Sequence, residues 1–305
     1  MRTLEAMALG VSTRNYGRSL ESLPEGLEER SVSKSAVSRR FVVLTEKQLG
    51  AWLHRPLGEL KLRIVVLDGI VFKDHTILVA LGVSDDGTKH VLGIREGSTE
   101  NATVARALLS DLVERGLPQD RALLFVIDGS KALWAAIRKL FGDRAVIQRC
   151  QVHKKRNVRD HLPVELQVSV KQAMTEAYQC TDATLAKRQL ERLARSLERE
   201  YPGAASSLRE GLEETLTLQS LGLSGALYLT LRSTNPIENL NRSITDFTRR
   251  VSRWRGGRMI VRWVATAVAE AEKKFRRLQG YRSMPQLIAA LEGTHKQLDN
   301  KQEVA

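Results

Sequence analysis

The sequence predicts an α/β protein: a mixed sheet, interrupted by an all-helical insert and preceded by a small helix-turn-helix module. Three observations carry that prediction. The first is LRIVVLDG, Leu62 to Gly69, where Ile64, Val65, Val66 and Leu67 form an unbroken apolar run. The run is too short for a typical helix and rich in β-branched residues, so it reads as a strand buried on both faces. It ends in Asp68, with Gly69 behind it to let the backbone turn. The second is the return of the same grammar at LLFVIDG, Leu123 to Gly129, with Asp128 in the equivalent place. The third is a change of character from about residue 160 to 232, where the pattern becomes nearly all helical.

Each element has its own local signal. Residues 11–54 form the small module: Ser12 or Thr13 caps a helix through Ser22, and LPEG breaks it. Ser33 caps a second helix, KSAVSRRFVVL, with Val37, Phe41 and Leu44 on one stripe. Opposite stand Lys34, Ser35, Ser38 and Arg39, with Arg40 beside them, which suits a recognition helix in a major groove. The plainer alternative is an amphipathic helix with a solvated basic face. Arg55-Pro56-Leu57-Gly58 closes the module. Strands follow at 62–70, 75–84 and 88–95, with Asp85-Asp86-Gly87 as the hairpin turn. A helix over 99–115 is capped by Ser98 and stopped by Gly116 and Pro118. Then come the strand ending in Asp128, a helix over 130–141 and a short strand at 145–148. The order β-β-β-α-β-α-β matches the ribonuclease-H-like fold, whose carboxylates cluster at the ends of adjacent strands. No Gly-x-Gly-x-x-Gly follows any strand, which disfavours a Rossmann fold. A haloacid-dehalogenase fold needs an aspartate where Ile70 stands.

In the insert, Leu190, Leu193 and Leu197 make one stripe and Leu208, Leu212 and Leu216 another. The core resumes at STNPIEN. Asn235 caps a helix that opens on Pro236, with Ile237, Leu240, Ile244, Phe247 and Val251 on its buried face. Glu238, Arg242, Thr245 and Arg249 lie on the other face. A basic segment follows, with Arg249, Arg250, Arg253, Arg255 and Arg258 around Trp254. An amphipathic helix spans 260–278, a short one follows Pro285, and fraying begins near Leu298. The expected division is 1–57 for the DNA-binding module, 58–160 for the first part of the core and 161–232 for the insert. Residues 233–280 complete the core, and 281–305 form a terminal helix and tail.

The 305 residues carry 48 Lys and Arg against 35 Asp and Glu, a formal charge of +13. That excess points to a polyanionic partner, nucleic acid first. No stretch of about 18 apolar residues suggests a membrane span, and the amino terminus is too weakly apolar for a signal peptide. The two cysteines cannot build a disulfide framework, so a reducing, cytoplasmic setting is expected.

Asp68, Asp128 and Glu238 each have an ordinary explanation, as strand-end turn residues or as a capping-box partner of Asn235. Together they make the set that a two-metal site needs. Mg²⁺ takes a few carboxylates and keeps its remaining positions for water and phosphate oxygens. Two ions about 3.5–4 Å apart activate the attacking oxygen and stabilise the leaving one. Asp68 would bridge, with Asp128 and Glu238 holding one ion each, and Mn²⁺ is an acceptable substitute. Cys150 and His153 suggest zinc, but a structural site needs four ligands and the other cysteine, Cys180, lies in the insert. His153 is instead expected near the carboxylates, or against a DNA phosphate, and Cys150 packed at a strand end. Arg149, Lys154, Lys155, Arg156 and Arg159 read either as a solvated face or, beside a phosphate site, as contacts to the DNA backbone, which is the expectation.

The text GVSTRNY, SVSKSAVSRRF, VLDGI, GVSDDGTKHVLGIREGSTEN, FVIDGSKAL, VIQRCQVHKKRNV and STNPIENLNRSI resembles the Mutator-type DDE transposases of bacterial insertion sequences. The likeness runs from about Gly10 to Gly280. It implies a catalytic triad at Asp68, Asp128 and Glu238, and the family's Cys-x-x-His signature at Cys150 and His153. It also implies Mg²⁺-dependent cleavage at transposon ends and transfer of the freed 3′-hydroxyl into target DNA. The expected partner is double-stranded DNA, both terminal inverted repeats and target, bound by a homo-oligomer of at least two copies on the nucleoid. Two departures are expected to matter: an amino-terminal region shorter than the family's, and an insert without tryptophan. A shortened chain that binds ends and represses, or a nuclease of the same fold, are the alternatives.

Overall fold

The computed structural model describes residues 33–72, 74–97, 101–249, 251, 254 and 256–303. The chain divides into two compact units, one comprising 1–55 with 240–275 and the other 56–239 with 276–305.

The larger unit is built on a five-stranded sheet of order β3-β2-β1-β4-β5. Its strands are β1 (Leu62–Phe72), β2 (His75–Ser84), β3 (Lys89–Gly97), β4 (Leu123–Ile127) and β5 (Ala145–Arg149). β1, β2 and β3 pair antiparallel, whereas β4 lies parallel to β1 and β5 parallel to β4. The mixed sheet therefore follows the predicted order. Ile64 to Leu67 and Leu123 to Val126 are wholly buried, as apolar runs covered on both faces must be. At the β2–β3 hairpin, Asp86 Oδ1 accepts from the Thr88 amide at 2.9 Å, and Gly87 takes φ +84°.

Three helices of the first part of the chain were predicted closely enough to expose one error of capping. Helix α1 (Lys34–Leu53) belongs to the smaller unit and is taken up below. Helix α2 (Ala102–Glu114) is capped by Asn101, whose Oδ1 accepts from the amides of Thr103 and Val104 at 3.0 Å each. Ser98, the expected cap, lies outside the described residues. Helix α3 (Lys131–Phe141) is capped by Ser130 and buries Leu133, Ala136, Ile137 and Phe141.

After β5 the chain is helical: α4 (Gln151–Arg159), α5 (Val164–Gln179), α6 (Ala183–Leu197), α7 (Pro202–Arg209), α8 (Thr217–Ser220) and α9 (Gly225–Leu231). Leu190, Leu197, Leu208, Leu212 and Leu216 are buried in one apolar cluster, with Leu193 half-buried against it. Polar bonds also join this helical region to β5. The Gln148 amide donates to the Thr215 carbonyl at 3.1 Å and accepts from the Leu218 amide at 3.1 Å. The Thr217 hydroxyl donates to the Ile147 carbonyl at 2.6 Å.

Helix α10 (Asn235–Thr248) begins in the larger unit. Helix α12 (Met284–Glu303) is 20 residues long rather than short, and it continues past Leu298.

In the smaller unit, α1 continues nine residues beyond the predicted Leu44. Ser33 caps it as expected, accepting from the Ala36 amide at 3.2 Å. Val37 and Phe41 are buried, and Phe41 packs against Trp263 of α11 (Gly257–Glu272) with ring centroids 4.9 Å apart and planes tilted by 41°. Leu44 is half-buried and Thr45 is buried in its stead, its hydroxyl donating to the Phe41 carbonyl at 2.7 Å. α11 stops at Glu272, short of the predicted Leu278. The helix expected over 12–22 lies outside the described residues. No helix among the described residues is long and apolar enough to cross a membrane.

Candidate active site

The parallel register of β1 and β4 brings the two aspartates together. Ile64 pairs with Leu124, and the match continues to Leu67 with Ile127, so Asp68 and Asp128 are the next residues on adjacent strands. Their structural settings differ. β1 does not end at Asp68: it continues to Phe72, and Asp68 pairs with Val79 of β2. Gly69 is a strand residue facing Leu78 and not the expected turn, because β2 carries β1 beyond the reach of β4. Asp128 does end its strand. Its Oδ1 accepts from the Ser130 amide at 2.8 Å, and Gly129 takes φ +115°. An aspartate in such a turn still has a second oxygen and unused lone pairs.

Burial is the main cause that pushes the Asp68 carboxyl up to about 6, followed by repulsion from Asp128 and, more weakly, from Glu238. The Gly69 amide and the charge of His153 oppose that rise. Three acidic side chains and one imidazole thus share a field.

Glu238 enters from the first turn of α10. Its amide donates to the Thr234 carbonyl at 3.0 Å, so Thr234, and not Asn235, occupies the capping position. Thr234 is wholly buried and its hydroxyl is a hub. It donates to Glu238 Oε1 at 2.7 Å and lies 3.3 Å from His153 Nδ1 and 3.6 Å from Cys150 Sγ. A hydroxyl has one proton, so it donates to one of these partners at a time, and Glu238 is the nearest.

Cys150 is buried where β5 passes into α4, and its sulfur accepts from the His153 amide at 3.5 Å, capping that helix. It packs at a strand end, as the sequence suggests. Burial raises the thiol, but hydrogen bonds with His153 and Thr234 outweigh it and hold it below the usual thiol range. The same contact with Cys150 raises the half-buried imidazole of His153, with Asp128 adding to the effect and burial opposing it. Among the described residues, no group of three or more His, Cys, Asp or Glu side chains surrounds a single ion position.

The basic residues separate into distinct classes. Lys154 is not on a free face: it is 1% exposed, and its Nζ donates to the carbonyls of Ser207, at 2.6 Å, and Glu210. Burial and the charge of Arg149 push its ammonium down to about 8. The cation closes the carboxyl end of α7, where carbonyls lack helical partners. Arg149 is likewise buried and pairs with Glu210 at 3.2 Å. Both correct the expectation of DNA-backbone contact. Lys155 is half-buried, with Nζ 3.3 Å from the Thr175 hydroxyl, and Arg156 is exposed. Ser35, Ser38, Arg39, Arg40, Arg242 and Arg249 are all exposed. The side chain of Lys34, together with Arg250, Arg253 and Arg255, lies outside the described residues.

Thr234 is the site residue that sequence reasoning missed. Ser-Thr-Asn before a proline offers three consecutive helix caps, and that triplet is the signal that could have raised it.

Comparison with known proteins adds an independent line. The family model described as "Transposase, Mutator family" matches residues 2–277. The chain is 32% identical over 251 residues to the transposase for insertion sequence element IS256 in transposon Tn4001 from Staphylococcus aureus. That alignment covers 79% of this chain and 62% of the Staphylococcus protein, so the chain spans less than two thirds of that relative's length. The transposase for element IS406 of Burkholderia multivorans is 29% identical, over 89% of this chain and 70% of that protein. The transposase for element IS1081 of Mycobacterium tuberculosis is 29% identical, over 94% and 70% respectively.

Proposed function

The chain belongs to the Mutator family of transposases, and from that premise we propose that it cleaves the ends of an insertion sequence and joins the freed 3′-hydroxyl to target DNA. The observation that carries this reading is the placement of Asp68 and Asp128 as successive residues beyond a matched parallel strand pair, with Glu238 in the same field. The five-stranded mixed sheet supports a ribonuclease-H-like core.

The donor set fits divalent metal. All three side chains offer hard oxygen ligands, and a bound cation offsets both the burial and the repulsion that raise Asp68. Two ions would need only two protein carboxylates each, Asp68 with Asp128 and Asp68 with Glu238. That is compatible with the absence of any trio around one point among the described residues. When bound, Mg²⁺ or Mn²⁺ supplies charge stabilisation for the attacking and leaving oxygens of an in-line displacement.

The chain's own residues prepare that displacement. The Ser130 amide fixes one oxygen of Asp128, which leaves the other to face the reaction. Thr234 aims Glu238 and ties it to His153. The exposed Arg156 of the larger unit, and Arg242 and Arg249 of the smaller one, are each suited to neutralise DNA phosphates. Water attacks phosphorus in the first reaction and the DNA 3′-oxygen leaves as a hydroxyl; in the second, that 3′-hydroxyl attacks a target phosphodiester and expels the target strand's own 3′-oxygen. Cutting paired ends requires at least two copies, acting on DNA in the cytoplasm.

The test is strand transfer with purified protein and labelled DNA from the element's own ends, with Mg²⁺ or EDTA. Wild type yields metal-dependent joined products, and Asp128→Ala lowers them about a thousand-fold or more, the equivalent of several kcal/mol of lost charge stabilisation. Tight binding without cleavage identifies an end-binding repressor instead, and cleavage without joining identifies a nuclease. Joining that survives Asp128→Ala overturns the triad.

A further inference from the structure

Arg149 is the last residue of β5 and pairs with Ile127 of β4. Successive strand residues alternate between faces, so its side chain leaves the sheet on the face opposite Asp68 and Asp128. There the guanidinium meets two glycines in positive φ. A Cβ at Gly129, φ +115°, would fall on its Nε, Cζ and Nη2, and one at Gly211, φ +58°, on its Nη1. Gly129 belongs to the turn that carries Asp128, whereas Gly211 belongs to the helical region after β5. We infer that Arg149 is a positioning residue: it holds the Asp128 turn against those helices and so fixes where Asp128 meets a divalent cation. The inference rests on the proposed function and concerns the same centre.

Asp128 needs such support where Asp68 does not. Asp68 pairs with Val79 inside a strand that runs on to Phe72. The registered pairs of β4 stop at Ile127 on both sides, so the ladder does not extend to Asp128. Within the turn, the Ser130 amide ties one carboxylate oxygen to the backbone. That bond sets the carboxylate relative to the turn and leaves the turn itself to be placed. The guanidinium packs against the next residue, Gly129, from the far face of the sheet.

The side chain suits the task. A guanidinium is planar, keeps its charge and presents its donors in a fixed fork. Here Nη1 donates to the Glu210 carbonyl at 2.9 Å and Nη2 to Glu210 Oε2 at 3.2 Å, which anchors the fork on the helical side. Lys131 adds a second cation to the same carboxylate at 3.2 Å. The buried Nε has no hydrogen-bond partner among the described residues, so its contact with the turn is packing and not a polar bond. Arg149 is 8% exposed, which leaves it little room to yield. A change at Gly211 that displaces the guanidinium therefore displaces the turn that carries Asp128.

The experiment measures Mn²⁺ binding to the full chain by electron paramagnetic resonance of the free ion, with and without duplex DNA from the element's ends. Denaturant unfolding of every variant is followed in parallel. Wild type binds Mn²⁺, and Asp128→Ala weakens that binding, which locates the ion. Arg149→Met weakens it roughly ten-fold or more, in the range for groups that orient a metal's ligands. Because Arg149→Met also removes buried bonds, Gly211→Ala tests the same link from the helical side, by pressing a methyl group onto Nη1. Gly142→Ala is its control, with nearly the same φ, +55°, and open space around the added Cβ. Gly211→Ala weakens Mn²⁺ binding several-fold and Gly142→Ala leaves it unchanged, under conditions where both are folded. Equal Mn²⁺ affinities for Gly211→Ala and Gly142→Ala, or a folded Arg149→Met that loses stability alone, overturn the positioning role and leave the transposase reading intact. Wild type that binds no Mn²⁺ under either condition, or binds it independently of Asp128, overturns the metal reading of the centre and the positioning role with it.

Discussion

Val-Leu-Asp-Gly at 66–69 and Val-Ile-Asp-Gly at 126–129 are nearly the same text, and the protein uses them differently. In the first, aspartate and glycine lie within a long strand, paired across to Val79 and Leu78. In the second, the strand stops, the aspartate accepts from the Ser130 amide, and the glycine enters positive φ. The cause is the neighbour. β1 has β2 alongside it to Phe72, whereas the registered pairs of β4 with β1 and β5 end at Ile127. A shared local sequence sets two carboxylates at one level; the flanking strands decide which of them also makes a turn.

The two glycines test this contrast most strongly. A side chain at position 129 meets positive φ and a Cβ 2.2 Å from the Nε of buried Arg149. Gly129→Ala should therefore cost about 3 kcal/mol in denaturant unfolding, combining strain and overpacking. Gly69 needs no positive φ, and Gly69→Ala should cost less than about 1 kcal/mol. Equal losses would mean that the two glycines have like settings after all.

The aspartates themselves sharpen the contrast through pH. The Asp68 carboxyl is raised from 3.8 to about 6 in the folded protein, so its protonated form is favoured there. Its contribution to stability is complete below about pH 3.8 and is lost as pH rises through about 6. In EDTA at pH 8, Asp68→Asn should stabilise the protein by up to about 3 kcal/mol and flatten stability across that window. Asp128→Asn keeps an oxygen for the Ser130 amide and should change stability much less. A metal-free Asp68→Asn protein no more stable than wild type at pH 8 would remove the electrostatic argument for metal.

A smaller effect is expected at Thr234. Thr234→Val deprives Glu238 and His153 of their shared hydroxyl and should cost about 1 kcal/mol of stability, with roughly ten-fold slower strand transfer. Thr234→Ser restores the hydroxyl and should recover most of the rate. If serine behaves as valine does, the methyl group and not the hydrogen bond matters.

These contrasts also explain which parts were legible beforehand. The strands were, because runs such as Ile64–Leu67 have no other stable home than a covered sheet. The level shared by Asp68 and Asp128 was legible for the same reason, since each follows such a run. The burial of Lys154 was not: RCQVHKKRNVR reads as a basic face, and only the carbonyls of Ser207 and Glu210, more than 50 residues on, turn that ammonium inward. Thr234 was hidden by its neighbour, since Asn235 is an equally good cap on local grounds. The length of α12 was missed because its later turns carry mostly polar residues, and a hydrophobic period gave no reason to extend it.

The bonds from Gln148 and Thr217 between β5 and the helices after it have a consequence for how the molecule comes apart. A module tethered only at its ends can open while its host stays closed. Here a buried glutamine donates and accepts across the join, so releasing the helices strands polar groups inside the sheet. The amides of α6 and of β4 should therefore exchange with deuterium through one common opening, and protease resistance in the helices should vanish at the same denaturant concentration as in the strands.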